Sequence, residues 1–182
     1  GIPRQAVEQN LPVLGTKYRA QDIANRNSIC PWNPDMYGVD MTKPGAQEYY
    51  DSVFALFAAW GVDYVKVDDI SRPYHNHEKE IEAIRRAIDR TGRPIVLSLS
   101  PGETALTAAA HVTQHANLWR ISDDFWDRWL ALRDQFARLA AWNEQGLQVL
   151  ATVDAAGPSW RGAVGVVTQL LPRAELDLRQ AV

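Results

Sequence analysis

Cysteine is almost missing from this chain: its 182 residues include one, Cys30. No internal disulfide can form, and no cysteine-based metal site is suggested. No apolar run reaches the roughly 20 residues needed to cross a bilayer, so no membrane partner is expected. No segment concentrates lysine and arginine either. With 19 basic against 22 acidic residues and a net charge of −3, the chain lacks the footprint of a nucleic-acid binder. The opening "GIPRQAVEQN" has neither the charged nor the apolar region of a secretory signal. What remains is a globular composition, 46% hydrophobic and 23% charged, at a length that suits one domain or a piece of a larger one.

Tryptophan, by contrast, is plentiful, with seven spread from Trp32 to Trp160. Most are expected in the core or between helices. Sugar-binding clefts also favour Trp, whose flat face covers the C–H side of a pyranose, and Trp32 is a candidate for such a contact.

Residues 1–43 read mainly as loop, with Pro, Asn and Gly scattered through "SICPWNPDMYGVDMTKPG". A regular alternation then begins. Thr42 is placed to cap a helix opening near Pro44, with Tyr50, Phe54, Phe57 and Ala58 on one face, and Gly61 ends it. "DYVKV" follows as a strand. A helix over 77–91 keeps Ile81, Ile84 and Ile88 at i, i+3, i+4 spacing. Next come strand 94–100 ("PIVLSLS"), helix 103–115, strand 117–122 ("NLWRIS") and helix 125–142, the last with Trp126, Trp129, Leu132, Phe136 and Leu139. Strands alternating with helices of this length indicate parallel βα units, wound into a doubly wound sheet or a (β/α)8 barrel. Three units cannot close a barrel, which takes about 250 residues. After "AAWNEQG" the periodicity fades, although "LQVLATV" has the character of a fourth strand.

In parallel α/β folds the functional groups lie at the carboxyl ends of the strands. Two strands here end in acidic pairs: "YVKVDD" delivers Asp68 and Asp69, and "LWRISDD" delivers Asp123 and Asp124. The strand between them ends in "SLSPGE", a small-residue turn that leaves room for a ligand. Two converging carboxylates are what glycoside hydrolysis needs, one as nucleophile and one as general acid/base. Alternation points Lys66 the same way as Asp68, and Arg120 the same way as Ser122 and Asp124. An Asp at a strand end is also an ordinary turn or helix-capping residue, and Asp69 and Asp123 suit that role better than their neighbours. "RPYHNH" raises a second option, a metal held by His75 and His77 with Asp68 and Asp69, but the segment reads as a solvated loop. No metal or cofactor is therefore expected.

"WGVDYVKVDD" resembles the nucleophile strand of glycoside hydrolase family 27, the α-galactosidase (melibiase) family. "WRISDDFWDRW" resembles that family's acid/base strand, Trp-Arg-x-x-x-Asp. The resemblance covers roughly residues 1–142 and implies a partial (β/α)8 TIM barrel. It makes Asp68 the nucleophile and Asp124 the acid/base of a retaining hydrolase acting on a carbohydrate. Lys66 and Arg120 become contacts to the sugar hydroxyls, with Asp69 and Trp32 as further substrate-binding candidates. It also implies a periplasmic or extracellular location.

Three departures qualify the match. The family's early strands, with their tryptophan-rich motif and sugar-gripping aspartate pair, have no counterpart. Ser100, Pro101 and Gly102 stand where many members carry Cys-Glu-Trp against the sugar 2-position, which leaves galactose, N-acetylgalactosamine and arabinopyranose open. Residues 143–182 do not follow the family's seventh-strand pattern, as a frameshift or mis-called gene end near 143 would explain. The expectation is an incomplete catalytic domain, marginally stable and weakly active or inactive alone. The alternatives are a non-catalytic sugar-binding remnant and a metal-dependent barrel hydrolase.

Overall fold

The computed structural model describes residues 1–70, 73–100, 102–124 and 128–145. The chain divides into two compact units, Gly1–Asp63 with Glu78–Ile95, and Tyr64–His77 with Val96–Val182.

The first unit corrects the reading of residues 1–43 as loop. Short strands β1 (Ile2–Pro3), β2 (Ala24–Ile29) and β3 (Met36–Val39) form an antiparallel sheet in the order β1-β3-β2. Helices α1 (Arg4–Glu8) and α2 (Ala20–Ile23) precede β2. The strand "ANRNSI" carries almost no apolar alternation, which is why pattern reasoning passes over it. Its register slips between Asn25 and Ile29, opposite Gly38. A Cβ at Gly38 would meet Ser28 at 2.6 Å, so the irregularity depends on glycine there.

Helix α3 (Ala46–Ala59) starts two residues later than Pro44. Gly45, at φ 94°, occupies the capping position, and no side chain caps the helix. Thr42 is engaged elsewhere: its hydroxyl donates to Asp40 at 2.6 Å and its N–H donates to the same oxygen at 3.0 Å. These bonds, the hydroxyl's first, hold the Asp40 carboxyl below the usual carboxylate range. A lowered carboxyl pKa stabilises the fold above the unfolded value of about 3.9, and the benefit is lost as the pH falls through the folded value. Thr42→Val is therefore expected to lower the melting temperature slightly at pH 7. In a pH series of melts, the gap to the unaltered chain should close as the pH drops below the carboxylate range.

Helix α4 (Tyr74–Thr91) buries Ile81, Ile84 and Ile88, the spacing expected for its apolar stripe, together with Ala83 and Ala87. Within the first unit it is tied to α3 by polar contacts as well. The Gln47 side chain donates to the Ala83 carbonyl at 3.0 Å, and Arg90 pairs with Asp51. The buried Tyr50 hydroxyl donates to Glu80. Burial and then the Glu80 charge push the Tyr50 pKa far up, so this phenol remains a neutral donor.

In the second unit β4 (Tyr64–Val67), β5 (Val96–Leu99) and β6 (Leu118–Trp119) form a parallel sheet in the order β4-β5-β6. This is the α/β arrangement and strand order that the sequence implies; among the described residues no barrel closes. Asn117 starts β6 by accepting the Leu97 N–H at 2.9 Å while its own N–H donates to the Leu97 carbonyl at 3.0 Å. The helix predicted over 103–115 is a 3-10 turn (Leu106–Ala108) running into α5 (Ala109–His115). One sheet face carries the apolar residues Leu97, Leu99, Trp119 and Ile121, all fully buried. Trp119 packs on Trp142 of α6 (Trp129–Asn143), with ring centroids 5.9 Å apart.

Two packing expectations fail. Trp129, Leu132 and Phe136 of α6 are exposed, while Gln135 and Trp142 are the buried residues of that helix. Of the described tryptophans only Trp119 and Trp142 are buried; Trp32, Trp60 and Trp129 are exposed. Trp60 and Trp129 sit at helix ends, where a side chain can leave the packed face. The strand read over "LQVLATV" lies outside the described residues.

Candidate active site

All the strand-end carboxylates belong to the second unit, and register fixes their level. Val67 pairs with Leu99, and Leu99 with Trp119. The ladder continues one residue further, since Ser100 N–H donates to the Val67 carbonyl at 2.8 Å and Arg120 N–H to the Leu99 carbonyl at 3.3 Å. Asp68, Ser100 and Arg120 therefore stand side by side at the carboxyl end of the sheet. They share the face of Lys66, Ser98 and Leu118, opposite the apolar one.

Each outer strand brings a cation to its carboxylate, and for Lys66 and Asp68 the pairing follows the predicted alternation. Lys66 Nζ lies 3.2 Å from Asp68 Oδ1, with Asp68 47% exposed. Arg120 Nη2 lies 2.7 Å from Asp124 Oδ1. The second pair is lopsided: Arg120 is 7% exposed and Asp124 is 72% exposed. The half-exposed Lys66–Asp68 pair contributes no more than about 1 kcal/mol to stability, so its significance is orientation. A buried guanidinium is a different matter, because its desolvation is costly without an anion nearby. β6 is only two residues long, so Asp124 reaches Arg120 from the turn beyond the strand rather than by continued alternation.

The other members of the acidic pairs have separate tasks. Asp69 adopts φ 57°, the left-handed region that Asp tolerates better than most residues, and turns the chain directly after Asp68. Asp123 accepts the Glu103 N–H at 3.1 Å. Trp32 belongs to the first unit, exposed in the segment joining β2 to β3, and its candidacy rests on residue type alone. The histidines need correction. "YHNH" opens helix α4 rather than a loop, and residues two apart on a helix point about 200° apart. His75 and His77 therefore do not share a face, which counts against the joint metal site.

A further group was not singled out from the sequence. The hydroxyls of Ser100, Thr104 and Ser122 and the Nε of Arg120 are buried without a hydrogen-bond partner among the described residues. Each such group costs about 1–3 kcal/mol. Arg4, Trp119 and Gln135 also carry such atoms, but Ser100, Arg120 and Ser122 are the ones just past the carboxyl ends of β5 and β6, where giving up stability is typical of functional sites. The signal was available in "SLS" and "RIS", where polar residues recur with period two among apolar ones.

A parallel βα sheet carrying paired cations and carboxylates at its strand ends defines a class, the α/β proteins whose chemistry sits at the carboxyl edge of the sheet. Within it, this chain belongs to the melibiase family described as alpha galactosidase A, whose model matches residues 34–167. A solved β-L-arabinopyranosidase of Geobacillus stearothermophilus superposes with a TM-score of 0.76 at 50% identity, over 92% of this chain and 41% of that one. The same enzyme in complex with arabinose, as a variant, gives a TM-score of 0.75 at 60% identity, over 79% of this chain and 34% of that one. Alpha-galactosidase 3 of Hypocrea jecorina is 32% identical over 108 residues, 55% of this chain and 16% of that protein. The chain thus spans less than half the length of each of these relatives.

Proposed function

We propose that the chain carries the two catalytic carboxylates of a retaining glycoside hydrolase, on an arc of a (β/α)8 barrel. One observation supports this most directly: the strands on either side of β5 each end in a carboxylate held by a cation, Lys66–Asp68 and Arg120–Asp124. Asp68 attacks the anomeric carbon through an oxocarbenium-like transition state while Asp124 protonates the departing oxygen. Water, deprotonated by Asp124, then releases the sugar with its anomeric configuration kept. Lys66 and Arg120 orient the carboxylates and donate to sugar hydroxyls. Asp69 contributes the turn after the nucleophile. A periplasmic or extracellular location belongs to the same reading.

For the substrate we favour a terminal β-L-arabinopyranoside over an α-galactoside. The two sugars share their ring stereochemistry and differ by one hydroxymethyl group, and the arabinopyranosidase is 50–60% identical against 32% for the alpha-galactosidase. Nitrophenyl glycosides of both sugars, incubated with the chain, test this. Faster release from the arabinoside, by about tenfold as befits one small group in a pocket, is expected. A preference for the galactoside reverses the substrate assignment, and inversion of the product anomer, read by NMR, removes the mechanism.

The exposure of Asp68 and Asp124 favours a second reading, a sugar-binding remnant without turnover. Saturable arabinose binding with no hydrolysis of either glycoside would support it.

A further inference from the structure

The geometry points to Asp123 as a positioning residue for Asp124, an inference that rests on the acid/base reading of Asp124. The segment leading to Asp124 is fastened to one short stretch of chain, Glu103–Thr104, beyond the end of β5. The Asp123 carboxylate accepts the Glu103 N–H at 3.1 Å, and the Thr104 N–H donates to the Arg120 carbonyl at 3.0 Å. The Glu103 carboxylate in turn pairs with Arg138 of α6, the helix that follows the Asp124 turn. Residues before and after Asp124 are thus tied to the same two residues. Asp124 itself is mostly exposed, with Arg120 as its ion partner, and β6 ends at Trp119, so no ladder fixes the turn that presents it. Asp123 supplies that constraint. Its carboxylate locks the turn, the turn sets Asp124 against Arg120, and the acid is aimed where a leaving oxygen must be met. Small misplacements of a catalytic group are costly to rate.

The test uses the 182-residue chain with Asp123→Ala, which removes the acceptor, and Asp123→Asn, which keeps a side-chain oxygen. Aryl arabinosides with poor leaving groups need the acid in the first step, and their kcat/KM is expected to fall about tenfold to a hundredfold in Asp123→Ala. A dinitrophenyl arabinoside, whose leaving group departs unprotonated, should lose less than about threefold in kcat/KM, although its kcat can still fall because Asp124 is the base of the second step, and Asp123→Asn should recover most of the loss. Equal losses on both substrates, or none on either, overturn the inference.

A second readout needs no turnover. The Arg120 Nε–Hε resonance, assigned with Arg120→Lys, is expected to move in Asp123→Ala and to return in Asp123→Asn. An unmoved resonance in a folded Asp123→Ala chain overturns the inference as well. Should Asp123→Ala lack a cooperative melt, Asp123→Ser, whose shorter side chain withdraws the acceptor, takes its place. Asp124→Ala separates the two layers. If it hydrolyses poor-leaving-group substrates like the unaltered chain, the acid/base reading has failed, while the Arg120 resonance still decides the role of Asp123.

Discussion

Asp68→Asn is expected to remove glycoside turnover by at least about a thousandfold while leaving the fold intact. An amide has the shape of the carboxylate but cannot form the glycosyl–enzyme bond. The stability side of the argument is equally specific. Lys66 and Asp68 are both about half exposed, and such a pair contributes about 0–1 kcal/mol. The melting temperature should therefore change little, and activity and stability should separate cleanly. The measurement is release of nitrophenol by the chain and, in parallel, by a complete relative carrying the matching substitution. Turnover retained in both would sink the assignment of Asp68.

The largest loss of stability is expected from Trp119→Ala. This side chain is fully buried, ends β6 one residue before Arg120, and packs on Trp142. Truncating a buried tryptophan costs about 3–5 kcal/mol through lost burial and the cavity left behind. Typical domains hold only about 5–15 kcal/mol in total, so much of the second unit's margin would go. Chemical denaturation should show an earlier midpoint, and a Trp119→Phe chain should recover part of the difference. An unchanged midpoint would mean that the β6–α6 packing is not what holds this unit together.

The parts of the fold legible in the sequence are those where burial imposes a period. Ile81, Ile84 and Ile88 mark the inner face of α4, and "YVKV" and "VLSL" read as strands because β-branched and apolar residues cluster there. The order of the three parallel strands follows from βα connectivity, and the Lys66–Asp68 pair follows from alternation, whereas Asp124 reaches Arg120 from the turn beyond β6. The antiparallel sheet of residues 1–43 did not show itself, because "ANRNSI" is polar and its pairing slips at a bulge. Thr42 looked like a helix cap, yet its hydroxyl found Asp40 first. The histidines looked like loop residues, whereas α4 starts at Tyr74 and takes them in. On α6 the hydrophobic pattern was real, but it did not say which face the rest of the chain would cover. Burial is a tertiary property, and Phe136 lies on the uncovered side.

The order β4-β5-β6 also bears on how the site is acquired during folding. Asp68 and Asp124 lie 56 positions apart in the chain (124 − 68), and neither strand touches the other; each is placed only by pairing with β5. Both crossovers must close before the two carboxylates stand on one sheet, and contacts of such long sequence separation form late because loop closure precedes any gain from them. Helices α3 and α4 can each form from contacts within their own turns while the strand-end carboxylates still belong to separate, unpaired segments. Competence at this site is therefore among the last properties the chain gains on folding and among the first it gives up when β5 frays.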